Sequence, residues 1–359
     1  MTNQTPPKDP VAEVMKEVNA LQREINELQA KVRLKRVRDS LEDLQSKIAA
    51  MPGRLKDLRA RGYPFEKALE AKAEELGRHF DSIRSSVMTQ IDQQSLNLER
   101  SMRPIEDDFR RLMGQVSSPE AARPLLNQVK SAVSSLEGKV EAVAGTINGM
   151  FDELGRQMRD IENRVGKADW TLKQLSEAGF RLLPTEAPIR AVKATWVKGE
   201  KADKDDPQGV LYLTDQRLLF EQKQDVATKK VLFITTKKER VQNLLLETPV
   251  GTIDSAKASK RGLLGHEDHL EVKFTYDAAV PLAHFHLDGQ DSNEWQGLLG
   301  KAKAHEFDTD RVTPVDQAAV EKVRTAPTAC PYCGGAITTQ IVRGMDSIKC
   351  EYCGKLIRL

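Results

Sequence analysis

The sequence predicts a multidomain α+β protein: a long helical coiled-coil bundle, a small antiparallel β-barrel closed by a C-terminal helix, and a metal-stapled tail. Three observations lead there. From Val11 to about residue 180, apolar residues recur at steps of three and four, the period of a buried helical seam. From about 185 the pattern changes to short runs rich in β-branched and aromatic residues. All four cysteines then fall within the last 30 residues.

Composition agrees with long exposed helices. Of the 359 residues, 39% are apolar, 5% aromatic and 30% charged, which is lean for one large globule. The net charge of +2 selects no class of partner, so electrostatic attraction must come from local patches. Residues 1–10 (MTNQTPPKDP) are polar and Pro-rich, are expected to be disordered, and carry no secretory signal. No window reaches the 18–20 apolar residues needed to cross a bilayer. Clustered cysteines fit metal binding in a reducing compartment better than a disulfide framework. The expected location is cytoplasmic, peripheral to the membrane if the middle domain meets lipid.

The helical region, 11–180, contains three stripes. Val11, Val14, Val18, Leu21, Ile25, Leu28 and Val32 form the first, whose register slips at KVRLKRVR and resumes from Leu34 to Met51. MPG at 51–53 is expected to break this helix, and GYP at 62–64 is a second interruption. A long helix is predicted from about Pro64 to Val116, kinked at Pro104. Ser118 is a candidate N-cap with Pro119 at the first helical position. The third stripe runs from Leu126 through Ile147, Met150 and Leu154 to Val165, is extended by Leu172 and Leu175, and reads as one helix, on the order of 80 Å long. Such a stripe needs neighbours, either antiparallel fold-back within the chain or a second copy of it. Short joints at 51–63 and 117–124 favour fold-back, and homo-oligomerisation remains open.

Between Lys31 and Arg61 ten basic residues meet four acidic ones, a local net charge of +6. Lys31, Arg33, Lys35, Arg36 and Arg38 are its densest part. The pattern suits an anionic partner, lipid or nucleic acid, or a solvated face paired with acids such as Glu66 and Glu70. No aromatic residues interleave it, which argues against single-stranded nucleic acid.

The middle domain, 185–306, begins after FRLLPTEAP. AVKATWVKG, GVLYLT, RLLFEQ, KKVLFITT, HLEVKFTY and VPLAHFHL read as strands. In GVLYLTDQRLLFEQ, Leu211 and Leu213 face one way and Val210 and Tyr212 the other, with Thr214–Arg217 as the turn. DSNEWQGLLGKAKAHEF reads as a helix in which Asp291 and Glu294 form a capping box and Trp295, Leu298, Leu299 and Ala302 one apolar stripe.

The stretch GVLYLTDQRLLFEQ resembles the β-hairpin of GRAM and other PH-like domains, and VGTIDSAKASKRGLLGHEDHLEVKF continues the likeness. The resemblance spans about 120 residues and implies a strand ending near Ile253, a loop, a strand over His269–Tyr276, and Trp295 packed on the barrel. It also implies protein or membrane docking. Lys257, Lys260 and Arg261 in SAKASKRG are the candidate anion or lipid contacts. A second basic loop, Lys198, Lys201 and Lys204, is neutralised by Glu200, Asp203, Asp205 and Asp206. Among the histidines, His266, His269, His284, His286 and His305, only His284 and His286 share a strand face, and HFHL reads as ordinary strand surface rather than a metal site.

The linker 307–327 is polar with two prolines and is expected to be a tether with one short helix. The tail, 328–359, carries Cys330-x-x-Cys333 and Cys350-x-x-Cys353 sixteen residues apart. That is the spacing of a four-cysteine zinc site. Both halves read C-x-Y-C-G, with Tyr332 and Tyr352, then Gly334 and Gly354, in matching places. The tail looks like a zinc ribbon. AITTQIV, SIKC and LIRL are its expected strands, structural zinc supplies the folding energy, and Arg343, Lys349, Lys355 and Arg358 offset the thiolates. A redox pair or an iron–sulfur site is the competing reading.

No G-x-S-x-G, Walker, G-x-G-x-x-G or H-E-x-x-H pattern occurs. The sequence therefore predicts no enzyme. The first reading is a non-enzymatic scaffold or adaptor: the coiled coil gives reach or self-association, the PH-like domain docks on a protein or an anionic membrane surface, and the ribbon binds another protein. The alternative is a nucleic-acid-binding protein using the basic patch at 31–61 and the ribbon.

Overall fold

The computed structural model describes residues 9–199, 203, 205–231, 234–262, 265–275, 278 and 280–359, with side chains of 225–240 left aside. Most of the expected disordered N-terminus, and Lys201 and Lys204 of the second basic loop, lie outside the described residues. The chain divides into two compact units, Met1–Pro52 with Ala71–Ile161, and Gly53–Glu70 with Glu162–Leu359.

The helices of the first unit follow the apolar stripes. Helix α1 spans Pro10–Lys31, with Asp9 as N-cap accepting from the Val11 amide and Pro10 where its missing N–H costs nothing. Its Val14, Val18, Leu21, Ile25 and Leu28 are buried, as the spacing requires. The register slip at KVRLKRVR is a helix break: Leu34 takes a left-handed conformation (φ 51°) and α2 follows over Lys35–Ala60. The break expected at MPG does not occur. α2 runs through Pro52, because Met51, Leu55 and Leu58 keep its stripe buried. One lost backbone bond is outweighed by three buried side chains. Gly62 (φ 91°) comes after the end of α2.

Helix α3 covers Leu69–Met113, starting five residues later than GYP suggested and passing unbroken through Pro104. α4 is Pro119–Gly149, and Ser118 stands at its N-cap without a side-chain bond. The third stripe is two helices, not one: α5 is a separate Asp152–Ser176. The buried stripe crosses the interruption through Phe151, while Met150 is exposed.

Ion pairs give the helix directions within this unit. Arg38 meets Asp92 (2.5 Å) and Arg84 donates to Gln45 (2.9 Å), so α2 and α3 run antiparallel. Glu13 meets Arg123, Glu17 meets Lys130 and Lys31 meets Glu137, so α1 and α4 run parallel. The stripes are covered by the chain's own helices, which is the fold-back arrangement with one parallel pair.

The second unit holds a seven-stranded antiparallel sheet in the order β4-β3-β2-β1-β7-β6-β5. Its strands are β1 (Pro188–Trp196), β2 (Gln208–Thr214), β3 (Arg217–Val231), β4 (Ile234–Pro249), β5 (Ile253–Arg261), β6 (Glu267–Phe274) and β7 (Leu282–Asp288). These antiparallel strands and the helix that follows them agree with the PH-like resemblance, except that the loop expected after Ile253 is itself strand β5. Closure into a barrel is absent among the described residues, since β4 and β5 are the two edges of the order. KKVLFITT is not a separate strand: its described residues divide between β3, to Val231, and β4, from Ile234, which pair antiparallel, and Leu232 and Phe233 lie outside the described residues. Gly209 is needed on β2: a Cβ there would stand 1.9 Å from the Glu221 carbonyl on β3.

The predicted alternation in β2 holds. Leu211 and Leu213 enter the main core with Phe220, Phe285 and Trp295. Val210 and Tyr212 face the other way, with Ala191 and Leu219, and are covered by Trp170, Ala178 and Phe180. The cover comes from α5 and the turn after it, so both faces of this part of the sheet are dry. Thr171 of α5 accepts the Ala191 amide (3.0 Å) where β1 is not yet paired with β7.

Helix α6, Ser292–Lys303, closes the core with Trp295, Leu299 and Ala302. Asp291 caps it by accepting from Asn293 (2.9 Å), whereas Glu294 binds Lys167 (2.5 Å) and Arg190 (3.1 Å) rather than completing a capping box.

Candidate functional site

The tail begins after a short helix, α7 (Gln317–Arg324), and has two small strands, β8 (Ser347–Lys349) and β9 (Leu356–Arg358). Each C-x-x-C segment closes the same turn. The Gly334 amide donates to the Cys330 carbonyl (2.8 Å) and the Gly354 amide to Cys350 (2.9 Å). Both glycines have positive φ, 74° and 71°, which a side chain would resist. Ile348 and Ile357 pack beside the buried Cys330 and Cys350.

The four sulfurs converge. Cys330 Sγ and Cys353 Sγ stand 3.8 Å apart, Cys333 Sγ and Cys350 Sγ 3.7 Å, and all four lie within 4.8 Å of one another. Four ligands at the Zn–S bond length of ~2.3 Å form a tetrahedron with edges of about 3.8 Å. The donor set and spacing are thus compatible with zinc. Without a metal the thiols compete. The Cys353 backbone amide, with that of Tyr352, pulls Cys350 down to about 7. The Gly335 amide favours the Cys333 thiolate, yet burial and the other three thiols push it up to about 12. A dication removes that conflict by taking all four thiolates. Four thiolates would leave no position for water on a bound ion, the arrangement of structural rather than catalytic zinc.

The tail is seated on the β2–β3 turn, Thr214–Arg217, rather than held on a free tether. Asp215, in this turn, accepts from the Ala187 amide (2.9 Å), from Arg311 Nη1 (2.6 Å) and from Arg343 Nη2 (2.9 Å). Arg343 also pairs with Asp308 (2.9 Å), and its amide donates to Gln216 Oε1 (3.1 Å). Burial pushes the Asp215 carboxyl above the usual range even beside two guanidinium groups. Arg343 therefore does not offset the thiolates, as its sequence position suggested. AITTQIV is not a strand, apart from a single bridge between Ala329 and Ala336, because Ile341–Gly344 is used for docking. Gly344 (φ 85°) lies so close that a Cβ would stand 1.9 Å from the Pro184 carbonyl.

Arg343→Ala is expected to undock the tail without emptying the cysteine centre. Hydrogen exchange over 338–346 should rise by about tenfold or more, the equivalent of roughly 1.4 kcal/mol lost from a buried charge-assisted network. Unchanged exchange would show that packing at Gly344 holds the tail alone.

The other candidate residues are dispersed. SAKASKR is strand β5, not a loop, so its cations alternate in direction. Lys260 pairs with Asp268 (2.5 Å) and Asp291 (3.4 Å), and Lys257 stands opposite Glu271. Only Arg261 lines a cleft, of about 410 Å³, together with Trp196, Lys198, Glu271 and His284. In the basic patch, Lys31 binds Glu137, Arg38 Asp92, Arg59 Glu70, and Arg54 and Arg61 both Asp169. Arg33, Lys35 and Arg36 are exposed and make no ion pair among the described residues. Arg59 is a clamp for its own joint, donating to the carbonyls of Tyr63, Phe65 and Glu66. No helix among the described residues is long and apolar enough to cross a membrane.

Asp215, Asp308 and Arg311 escaped the sequence reading. An acid in a hairpin turn is ordinary turn chemistry, and nothing local tells that two distant arginines converge on it.

No family model and no curated protein matches the chain. Among solved structures, the Vps36 N-terminal PH domain is 16% identical, covering 36% of this chain and 89% of that one, with a TM-score of 0.25. The DH/PH domains of p115-RhoGEF are 14% identical, covering 77% and 98%, with a TM-score of 0.20. A DH/PH fragment of PDZRHOGEF, solved in complex with human RhoA, is 13% identical, covering 84% and 96%, with a TM-score of 0.23. Superposition is partial in each case, and the functional reading rests on this chain's own residues.

Proposed function

We propose that the chain is a non-enzymatic adaptor whose PH-like, GRAM-type domain and zinc ribbon act as one docking module, carried by a coiled-coil bundle. The observation that supports this most is the seating of the four-cysteine tail on the Asp215 turn. Docking through one loop leaves the two knuckles turned to solvent, with Tyr332 58% and Tyr352 68% exposed. Exposed tyrosines, one of them under the Lys355 ammonium, are of the residue type enriched in protein-binding hot spots. Zinc would hold that surface rather than react on it.

Affinity capture with full-length protein and with a 1–306 truncation, identifying proteins, lipids and nucleic acids together, tests the reading. Protein partners are expected to bind the full chain and to be lost with the tail and in a Tyr332→Ala, Tyr352→Ala double variant. Vesicle binding abolished by charge reversal at Lys257, Lys260 and Arg261 would move docking to a membrane. Recovery of mainly nucleic acid by both proteins, with affinity falling steeply as salt rises, would shift the function to Arg33, Lys35 and Arg36.

A further inference from the structure

Helix α7 lies over the tail without being fastened to it. None of its residues is buried, and only Ala319, Val320 and Val323 are half-buried. Among the described residues, its side-chain hydrogen bonds and its ion pair all stay within 315–325.

What the helix covers is apolar. A cleft of about 230 Å³ separates it from the tail, lined by Ala319, Lys322 and Val323 of α7 and by Ile341, Met345 and Leu359 of the tail. Those three tail residues also pack on the core around Ile348 and Ile357, so the tail's own fold builds the floor. Thr185 lines the cleft too, with a left-handed backbone (φ 69°) that a β-branched residue takes only where its surroundings impose it. The groove is thus preformed.

Both flanks of α7 are held elsewhere. Asp308 and Arg311 belong to the Asp215 network, and Cys330 to the cysteine centre. Release of α7 therefore breaks neither the docking of the tail nor its ligand set. A plain linker helix would account for the short length and the exposed face. It does not account for so loose a fit over an apolar floor, since packed surfaces leave few voids larger than a water molecule.

The lining also selects what fits better. Ala319 and Val323 are four apart, on one face of the helix, and both are small. Asp346 is the charged residue that the tail contributes, and Lys322 lines the same cleft. A helix with larger aliphatic residues at the first two places and a cation at the third would bury more apolar surface and keep the charges matched.

We propose that this groove is a docking site for an amphipathic helix of a partner protein, with leucine-sized residues four apart and a cation just before the second. Helix α7 is the chain's own occupant and masks the groove until such a helix displaces it. The surface is separate from the Tyr332–Tyr352 face and does not depend on it.

The test uses the full-length, zinc-loaded chain and two peptides spanning 314–326. Free helices this short are marginal, so each peptide carries Gln317→Lys joined to Glu321 by a lactam bridge, on the exposed side. One is otherwise native and the other adds Ala319→Leu and Val323→Leu. A buried carbon strengthens binding by about fourfold, so the leucine peptide should bind at least about tenfold tighter than the native one. In the parent chain α7 competes at an effective concentration on the order of 1 mM. Val323→Asp in the chain, or Gly/Ser in place of 317–324, should therefore strengthen leucine-peptide binding by about tenfold or more. Tyr332→Ala with Tyr352→Ala should leave it unchanged. Zinc content and hydrogen exchange over 328–359 show that each variant keeps its tail. The proposal is overturned if the leucine peptide does not bind the chain with 317–324 replaced, binds it no better than the parent, or binds no better than the native peptide. Loss of binding in the tyrosine double variant overturns it as well, by placing the peptide on the knuckles.

Discussion

Replacing Cys350 with serine is expected to release the metal, unfold the tail and free the Asp215 turn in one step. The tail's own core is little more than Ile348 and Ile357 against two of the cysteines. Metal binding supplies about 10–16 kcal/mol in small structural zinc sites, so with zinc bound most of the tail's stability would reside in four Zn–S bonds. The Cys353 and Tyr352 amides already hold the Cys350 thiol low, and serine cannot replace it as a thiolate. Intact-mass spectrometry should show loss of one zinc per chain, and hydrogen exchange over 328–359 should approach the unprotected limit. The sheet, with its separate core around Phe220, Phe285 and Trp295, should keep its protection. Full zinc retention and an unchanged tail would refute a metal-dependent fold. Arg343→Ala is the control, because it removes docking and leaves the ligands.

The second large effect is expected at Arg217→Met. Glu186, with a side chain 0% exposed, accepts from Arg217 Nε (3.0 Å) and Nη2 (2.6 Å), from Thr214 Oγ1 (2.6 Å) and from the Leu183 amide (2.7 Å). Arg217 also donates to the Arg181 carbonyl (3.0 Å) and pairs with Glu247. Removing the guanidinium strands a buried carboxylate, which costs about 3–5 kcal/mol. Urea denaturation of the parent and the variant measures it. Adding Glu186→Gln to Arg217→Met should recover a large part, because the stranded charge goes too. A single-variant loss below about 1 kcal/mol, the scale of an exposed pair, would mean that water reaches this network.

Arg217 shows why part of the design could be read in advance and part could not. As the last residue of TDQR it was assigned to a turn, which local chemistry reveals. Its partner Glu186, 31 residues earlier, carries no local mark. The β2 alternation was readable because a period of two leaves each side chain a single choice of face. The SAKASKR cations were misplaced because polar residues on an edge strand look like a loop when no apolar alternation is present. MPG misled for the opposite reason: local propensity predicts a break, and burial of Met51, Leu55 and Leu58 overrides it. In the third stripe the 3–4 spacing continued across a real interruption, so the exchange of Met150 for Phe151 could not be seen in it.

By itself the sequence determined the helical stripes, the antiparallel run of strands with its closing helix, and the four-cysteine cluster. Each is written in spacing over a few neighbouring residues, where helix and strand periods or ligand geometry act directly. Only the tertiary structure decided that Arg343 and Arg311 meet on Asp215, that α5 covers one face of the sheet, and that His269 faces His284. Those are meetings between residues 15 to 128 positions apart. Their energies depend on burial and on charges brought together by the fold, and neither is a property of a local stretch of chain.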